Sequence, residues 1–225
     1  MNEPFCATWS LVARDPVTGQ LGVATASRYL GVGAVVPSVR PGVAAVCTQA
    51  WAKRALAPVI FAAITDGATP EKAVQVALAG DDLPGRRQIG VVDHLGRTAA
   101  YTGADVQADE QASWWGHVAG DGFVAIGNTL TGAPVVEATA GAVIAGVLPG
   151  ETFGLHLLMA LYLGEAAGGD HRGKQAAAVL VGGLGEGASE YMPAVDYRVD
   201  DHPAPIAELM RIYRIAFPAT AAPSG

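Results

Sequence analysis

The sequence predicts a layered α+β domain in which two packed sheets lie between helical layers. Three observations point there: short β-branched and small-residue runs arrive as hairpins, helical patterns arrive in pairs, and 51% of the 225 residues are hydrophobic against 16% charged. A doubly wound parallel sheet would instead alternate one strand with one helix. The charged share is well below the usual ~25%, so a single domain with a large core is expected and disorder is not.

The first hairpin pairs Trp9–Ala13 with Leu21–Thr25 across Asp15-Pro16-Val17-Thr18-Gly19, which combines an Asp turn opener, a Pro and a closing Gly. Val32–Val36 and Val43–Thr48 read as two further strands, separated by Pro37 and by Pro41-Gly42. Apolar residues then recur at helical spacing over Leu56–Ile64 and Pro70–Ala79, the second opened by an N-cap Thr69, Pro70 and the early acid Glu71. Arg87–Val92 and Thr98–Thr102 form a second hairpin around Asp93-His94-Leu95-Gly96, and Trp114–Val118 with Phe123–Ile126 a third. Pro134–Ile144 and Glu151–Ala166 are helical, Gln175–Val181 and Ala194–Val199 strand-like, and Pro205–Phe217 a closing helix with Glu208 and Arg211 on one face. Residues 8–217 are read as one domain, 1–7 as an N-terminal extension and 218–225 as a loose tail.

Charge and cysteine content narrow the function. A net charge of −7 with only 14 Lys and Arg, none in a basic run, leaves no footprint for a phosphate backbone, so no nucleic-acid partner is expected. The helical run Phe153–Leu163 is far shorter than the ~20 residues a bilayer needs and carries His156, so it reads as a buried core helix and no membrane partner is expected. The N-terminus has no secretory signal, and Cys6 and Cys47 are too few for a disulfide scaffold, which fits a reduced cytoplasmic setting. His94, His117, His156, His171 and His202 lack metal-ligand spacing, and neither a Gly-Lys-Ser/Thr loop nor a Rossmann fingerprint occurs, so neither metal nor cofactor is expected.

Polar side chains concentrate beside flexible backbone at Gly127-Asn128 and at Gly168-Gly169-Asp170-His171-Arg172-Gly173-Lys174-Gln175. Asn128, Arg172 and Gln175 are suited to donating to an oxyanion or a carboxylate, with Asp170 paired to Arg172 as the plainer reading. His117 and His171 have the pKa range of a base, although His117 beside Trp114-Trp115 reads first as a sheet-edge imidazole. Asp81-Asp82 read as solvated loop acids, and Asp200-Asp201-His202-Pro203 as the cap of the last helix. Cys6, Thr8 and Ser10 crowd the start of the first strand, where a hydroxyl or thiol beside a freed α-amine, of pKa ~7.7–8.0, makes a nucleophile with its own base. Position 8 requires loss of the residues before it.

Several motifs in order resemble those of the DUF1028 family: Thr8–Asp15, Leu21-Gly-Val-Ala, Ser27-Arg28, Val32–Pro37, Thr48-Gln-Ala-Trp-Ala52, Arg87–Asp93, Gly127-Asn128, Gly168–Gly173 and Arg198–Pro203. The resemblance runs from residue 8 to about 214. It implies a four-layer αββα sandwich of the N-terminal-nucleophile (Ntn) hydrolase kind, in a family of unknown function, and makes Thr8 the position of interest. The first hairpin is also weakly similar to the start of a proteasome β-subunit. Ala26 stands where that likeness would place an orienting acid, and no lysine lies between Arg28 and Gln49. Family chains often carry Ser where this one has Ala176.

Two functions follow from the resemblance. In the first, the protein is a hydrolase of amide C–N bonds acting on a small polar amide: Thr8 attacks, Asn128 and backbone N–H groups near Gly169 hold the oxyanion, and Arg28, Gln49, Asp170, Arg172 and Gln175 bind substrate. Cys6, Ser27 and Thr48 are the alternative nucleophiles. In the second, it is a non-catalytic small-molecule-binding protein on the same scaffold. A homo-oligomer is compatible with either.

Overall fold

The computed structural model describes residues 5–146, 151–183 and 193–218. It contains two antiparallel sheets and, among the described residues, six α-helices. The chain opens with β1 (Phe5–Cys6), β2 (Thr8–Arg14) and β3 (Leu21–Ser27), then β4 (Pro37–Arg40) and β5 (Ala44–Trp51). Helices α1 (Leu56–Thr65) and α2 (Pro70–Ala79) precede β6 (Arg87–Asp93), β7 (Thr98–Thr102) and the short α3 (Ala104–Ala108). After β8 (Trp114–Gly120) and β9 (Phe123–Leu130) come α4 (Pro134–Ala145), α5 (Phe153–Ala166), β10 (Ala176–Val181), β11 (Val195–Val199) and α6 (Pro205–Ala216).

One sheet runs β1-β5-β6-β7 with β4 also on β5, and the other runs β11-β10-β3-β2-β9-β8. Side chains alternate across each strand, and the buried clusters follow that period. Val12, Val23, Val124 and Ile126 from one sheet meet Ala45, Cys47 and Val92 from the other in an inter-sheet core. Trp9, Leu11 and Ala24 turn the opposite way, onto Leu157, Leu161 and Leu209 of α5 and α6. Val46, Ile89 and Val91 pack outward on Ile60, Phe61 and Val74 of α1 and α2. Thr69 caps α2 through its hydroxyl, which accepts from Lys72 N–H, with Pro70 in the first turn.

Three expectations change. Val32–Val36 is not a strand: Val32–Ala34 forms one 3-10 turn, entered at Gly31 with φ 66°, and the strand begins at Pro37. A Cβ at Gly33 would run into Ala178 Cβ and the Arg198 stem, so this turn has room only for glycine. The N-cap of α6 is Ala204, with no side-chain cap hydrogen bond, so Asp200-Asp201-His202-Pro203 does not cap the helix; His202 Nδ1 instead accepts from Ala204 N–H in the turn before it. Asp81 is not a solvated acid. It is buried, with Arg87 Nε at 2.5 Å and Lys53 Nζ at 2.6 Å.

The expected extension and tail are only partly described, since residues 1–4 and 219–225 lie outside the described range. Phe5–Cys6 belongs to the sheet carrying β5, whereas Thr8 starts a strand of the other sheet. Ala7 therefore crosses between the sheets. Among the described residues no helix is long and apolar enough to cross a membrane.

Candidate functional site

Because Ala7 crosses from one sheet to the other, its carbonyl leaves both ladders and needs a partner of its own. It has two. Ser27 Oγ donates to Ala7 O at 2.5 Å, and Arg172 Nη2 donates to the same oxygen at 3.0 Å. Ser27 arrives through register, as the cross-strand neighbour of Thr8. Arg172 arrives through the glycine loop: its Nε and Nη2 clasp the two oxygens of Asp170 at 3.0 and 2.6 Å, and its backbone N–H donates to Asp170 Oδ1. The Asp170 carboxylate, itself buried, also accepts from Arg28 N–H, while Arg28 Nη1 donates to Arg172 O at 2.5 Å. One carboxylate thus aligns a guanidinium on the peptide carbonyl just before Thr8.

Thr8 is fully buried, and its hydroxyl donates to Cys6 O at 2.8 Å. Alternation from Val12 places Thr8 and Ser10 on the inter-sheet face. Here a closed set of amides joins the sheets. Gln49 Nε2 reaches Thr8 O at 3.1 Å and Gln88 Oε1 at 2.8 Å, while Gln49 Oε1 accepts from Ser10 Oγ at 2.7 Å. Gln88 Oε1 accepts a second bond, from Asn128 Nδ2 at 2.8 Å, and Gln88 Nε2 donates to Gly127 O and Thr102 Oγ1. Ser10 Oγ also lies 2.9 Å from Thr25 Oγ1. Every amide oxygen and nitrogen of Gln49 and Gln88 is engaged, as burial requires. Two non-glycine residues with left-handed backbone flank the site, Ala50 at φ 66° and Thr129 at φ 60°, and such strain is held only by surrounding structure.

The structure therefore gathers Thr8, Ser27, Asp170, Arg172 and Arg28 around one carbonyl, and Gln49 and Asn128 in the adjoining amide set. Gly169 lies apart: its N–H donates to Gly164 O, and its Cα faces the Trp9 ring on the helical side. Thr48 follows Val46 by two residues and so shares the outer face that packs on α1 and α2. Burial pushes the Cys6 thiol up to about 12, against smaller pulls from a Tyr29 hydrogen bond and the Arg172 charge, so it is not a thiolate at neutral pH. Gln175 Nε2 donates to Asp201 Oδ1 at 3.2 Å, and both line a hollow of about 260 Å3 with Arg28, Lys174, His202 and Pro203. Among the described residues no three His, Cys, Asp or Glu converge as a metal site.

Sequence reasoning missed Ala7, which contributes only a carbonyl, and the bridging amide Gln88. A glutamine in the apolar run Arg87–Asp93, with its β5 cross-strand partner Gln49 likewise among apolar neighbours, is the signal for Gln88.

Fold and site together define a mixed helix-and-strand protein of two antiparallel sheets that buries the peptide bond ahead of a strand-leading threonine. The chain belongs to the family of unknown function DUF1028, which it matches over residues 8–209. A DUF1028 protein of known crystal structure from Silicibacter pomeroyi is 32% identical, with a TM-score of 0.80 over 93% of this chain and 89% of that one. Weaker likenesses are to Anbu (ancestral beta-subunit) from Yersinia bercovieri, at 11% identity and TM-score 0.41, covering 93% of this chain and 94% of that one. An Anbu mutant from Hyphomicrobium sp. strain MC1 gives 9% and 0.40 over 93% and 94% of the two chains. No curated protein is significantly similar to the chain.

Proposed function

We propose that the protein is an Ntn-type amidohydrolase on a four-layer αββα sandwich, with residues 1–7 as a leader and Thr8 as the nucleophile released by cleavage of the Ala7–Thr8 bond. The observation that carries this reading is the pair of donors, Ser27 Oγ and Arg172 Nη2, on the Ala7 carbonyl. In a cleavage by the neighbouring hydroxyl, Thr8 Oγ bonds to Ala7 C and negative charge develops on Ala7 O, where those two donors already point. The Ala7 C–Thr8 N bond then breaks and the hydroxyl proton passes to the nitrogen. Water hydrolyses the resulting ester to an Ala7 carboxylate and a free Thr8 amine and hydroxyl. The freed amine, with pKa ~7.7–8.0, is the base for later turnovers.

In that cycle Ser27 and Arg172 hold the oxyanion, Asp170 orients Arg172, and Asn128 with Gln49 and Gln88 holds the strand that carries Thr8. Arg28 and Gln175, beside the 260 Å3 hollow, take the polar end of the substrate. The test is amine release from a panel of amides by the wild-type protein and by Thr8→Ala. Release by the wild type that is lost in Thr8→Ala is expected; equal activity in both removes Thr8 from the chemistry.

A second reading, a non-catalytic small-molecule-binding protein, is favoured by one observation: Phe5–Cys6 is paired to β5 and Thr8 is wholly covered. Thermal stabilisation by amides or amino acids without turnover would select it.

A further inference from the structure

The segment before Thr8 lies in a groove with the features of a peptide site. The edge of β5 is shared by two strands: β4 pairs with Ala44–Cys47, and β1 pairs with Ala50 and Trp51 alone. That second stretch begins at Ala50, where left-handed backbone marks off a separate two-residue docking edge. The Phe5 ring lies 4.5 Å from that of Trp51, which on its own account has the Arg86 guanidinium 5.3 Å from its ring centre. The next two side chains, Cys6 and Ala7, are small and fully buried. The segment ends at a carbonyl oxygen held by one hydroxyl and one guanidinium. Strand addition at an edge, alternating side-chain contacts and a cationic terminus are how extended peptides are recognised.

We infer that this groove is the acyl-side subsite, and that the substrate class is a peptide amide whose acyl part is an extended strand reading aromatic, small, small. The inference rests on the proposed hydrolase reading only in taking Ala7–Thr8 as the reacting bond. Cleavage turns the Ala7 carbonyl into a carboxylate facing Arg172, a stronger acceptor than the amide it replaces. The product acid is therefore held more tightly than the amide, and the leader, once cut, competes with incoming substrate.

The test uses the full chain carrying Phe5→Ser, which removes the ring from Trp51 and loosens the resident strand. A fluorescein-labelled peptide of residues 3–7, with Cys6→Ser, is titrated as the free acid and as the C-terminal amide. Saturable binding of the acid is expected, with the amide at least about ten-fold weaker. Adding Arg172→Gln should erase that difference, and a peptide with Ala7→Phe should not bind. No saturable binding to a variant with native melting behaviour, or equal affinity for acid and amide, overturns the inference. Should Phe5→Ser fail to fold, the wild-type chain is treated with the peptide at millimolar concentration. Displacement of its own strand must then speed thiol modification of Cys6, and an unchanged rate overturns the inference. Neither readout needs turnover, so an inert protein that binds the acid peptide would discard the hydrolase reading and keep the groove.

Discussion

Arg172 Nη2 donates to the carbonyl oxygen of Ala7 at 3.0 Å across 165 residues of chain. This contact ties the glycine loop to the peptide bond ahead of Thr8, and the bidentate grip of Asp170 decides where the guanidinium points. Removing one preorganised oxyanion donor slows acyl transfer by roughly 10²–10³-fold. Ser27→Ala and Arg172→Gln should each slow cleavage at Ala7–Thr8 by about that factor, and Asp170→Asn by less, because the donor remains but loses its alignment. Time-resolved mass spectrometry of freshly folded protein measures all three.

The buried amide set predicts a stability effect separable from chemistry. Gln88→Leu takes away the acceptor of both Gln49 and Asn128 and the donor to Gly127 O. Stranding buried polar groups costs about 1–3 kcal/mol each, so a loss of about 2–4 kcal/mol is expected in urea unfolding once partial rearrangement is allowed for.

Asp81 anchors the end of β6 to the segment after β5. Burial opposes its charge, but hydrogen bonds from Arg87 and then Lys53 outweigh burial and hold the carboxyl at about 2, below its ordinary 3.8. The unfolded chain takes up the proton first on acidification. The stabilisation is thus complete above about pH 4 and is lost as pH falls toward 2. Asp81→Asn removes the carboxylate charge that faces the buried Arg87 guanidinium and should cost about 3–5 kcal/mol at neutral pH. The gap between variant and wild type should close through the same acid window in thermal melts.

His156, buried in α5, adds a second pH dependence. Burial lowers its pKa below 6.5 against weaker opposite pulls from Glu151 and Asp15, so the fold holds the neutral ring. The unfolded chain protonates first as pH drops below 6.5, and stability falls there. Melting temperature measured from pH 7.5 to 5 should decline below about 6.5 in the wild type and decline less in His156→Gln.

Much of the framework was legible because local signals and burial agreed. Thr69-Pro70 opened α2 at the residue expected, and the Asp15–Gly19 turn joined β2 and β3 as read. The Val32 run misled because Val32 and Val36 are buried by a turn, not by a ladder. Asp81 misled because its partners, six and 28 residues away, are invisible to local charge pattern. At the site, the glycine loop marked Asp170 and Arg172 by composition alone. Ala7 gave no signal, since its part is played by a backbone oxygen whose need arises only when the chain passes from one sheet to the other.

The proposed hydrolysis depends on Thr8 becoming a free N-terminus. The most direct measurement is the intact mass of the wild-type protein and of Thr8→Ala after purification and prolonged incubation. A wild-type chain beginning at Thr8 and a Thr8→Ala chain that keeps residues 1–7 are the expected outcome. A wild-type mass unchanged at all 225 residues would contradict it.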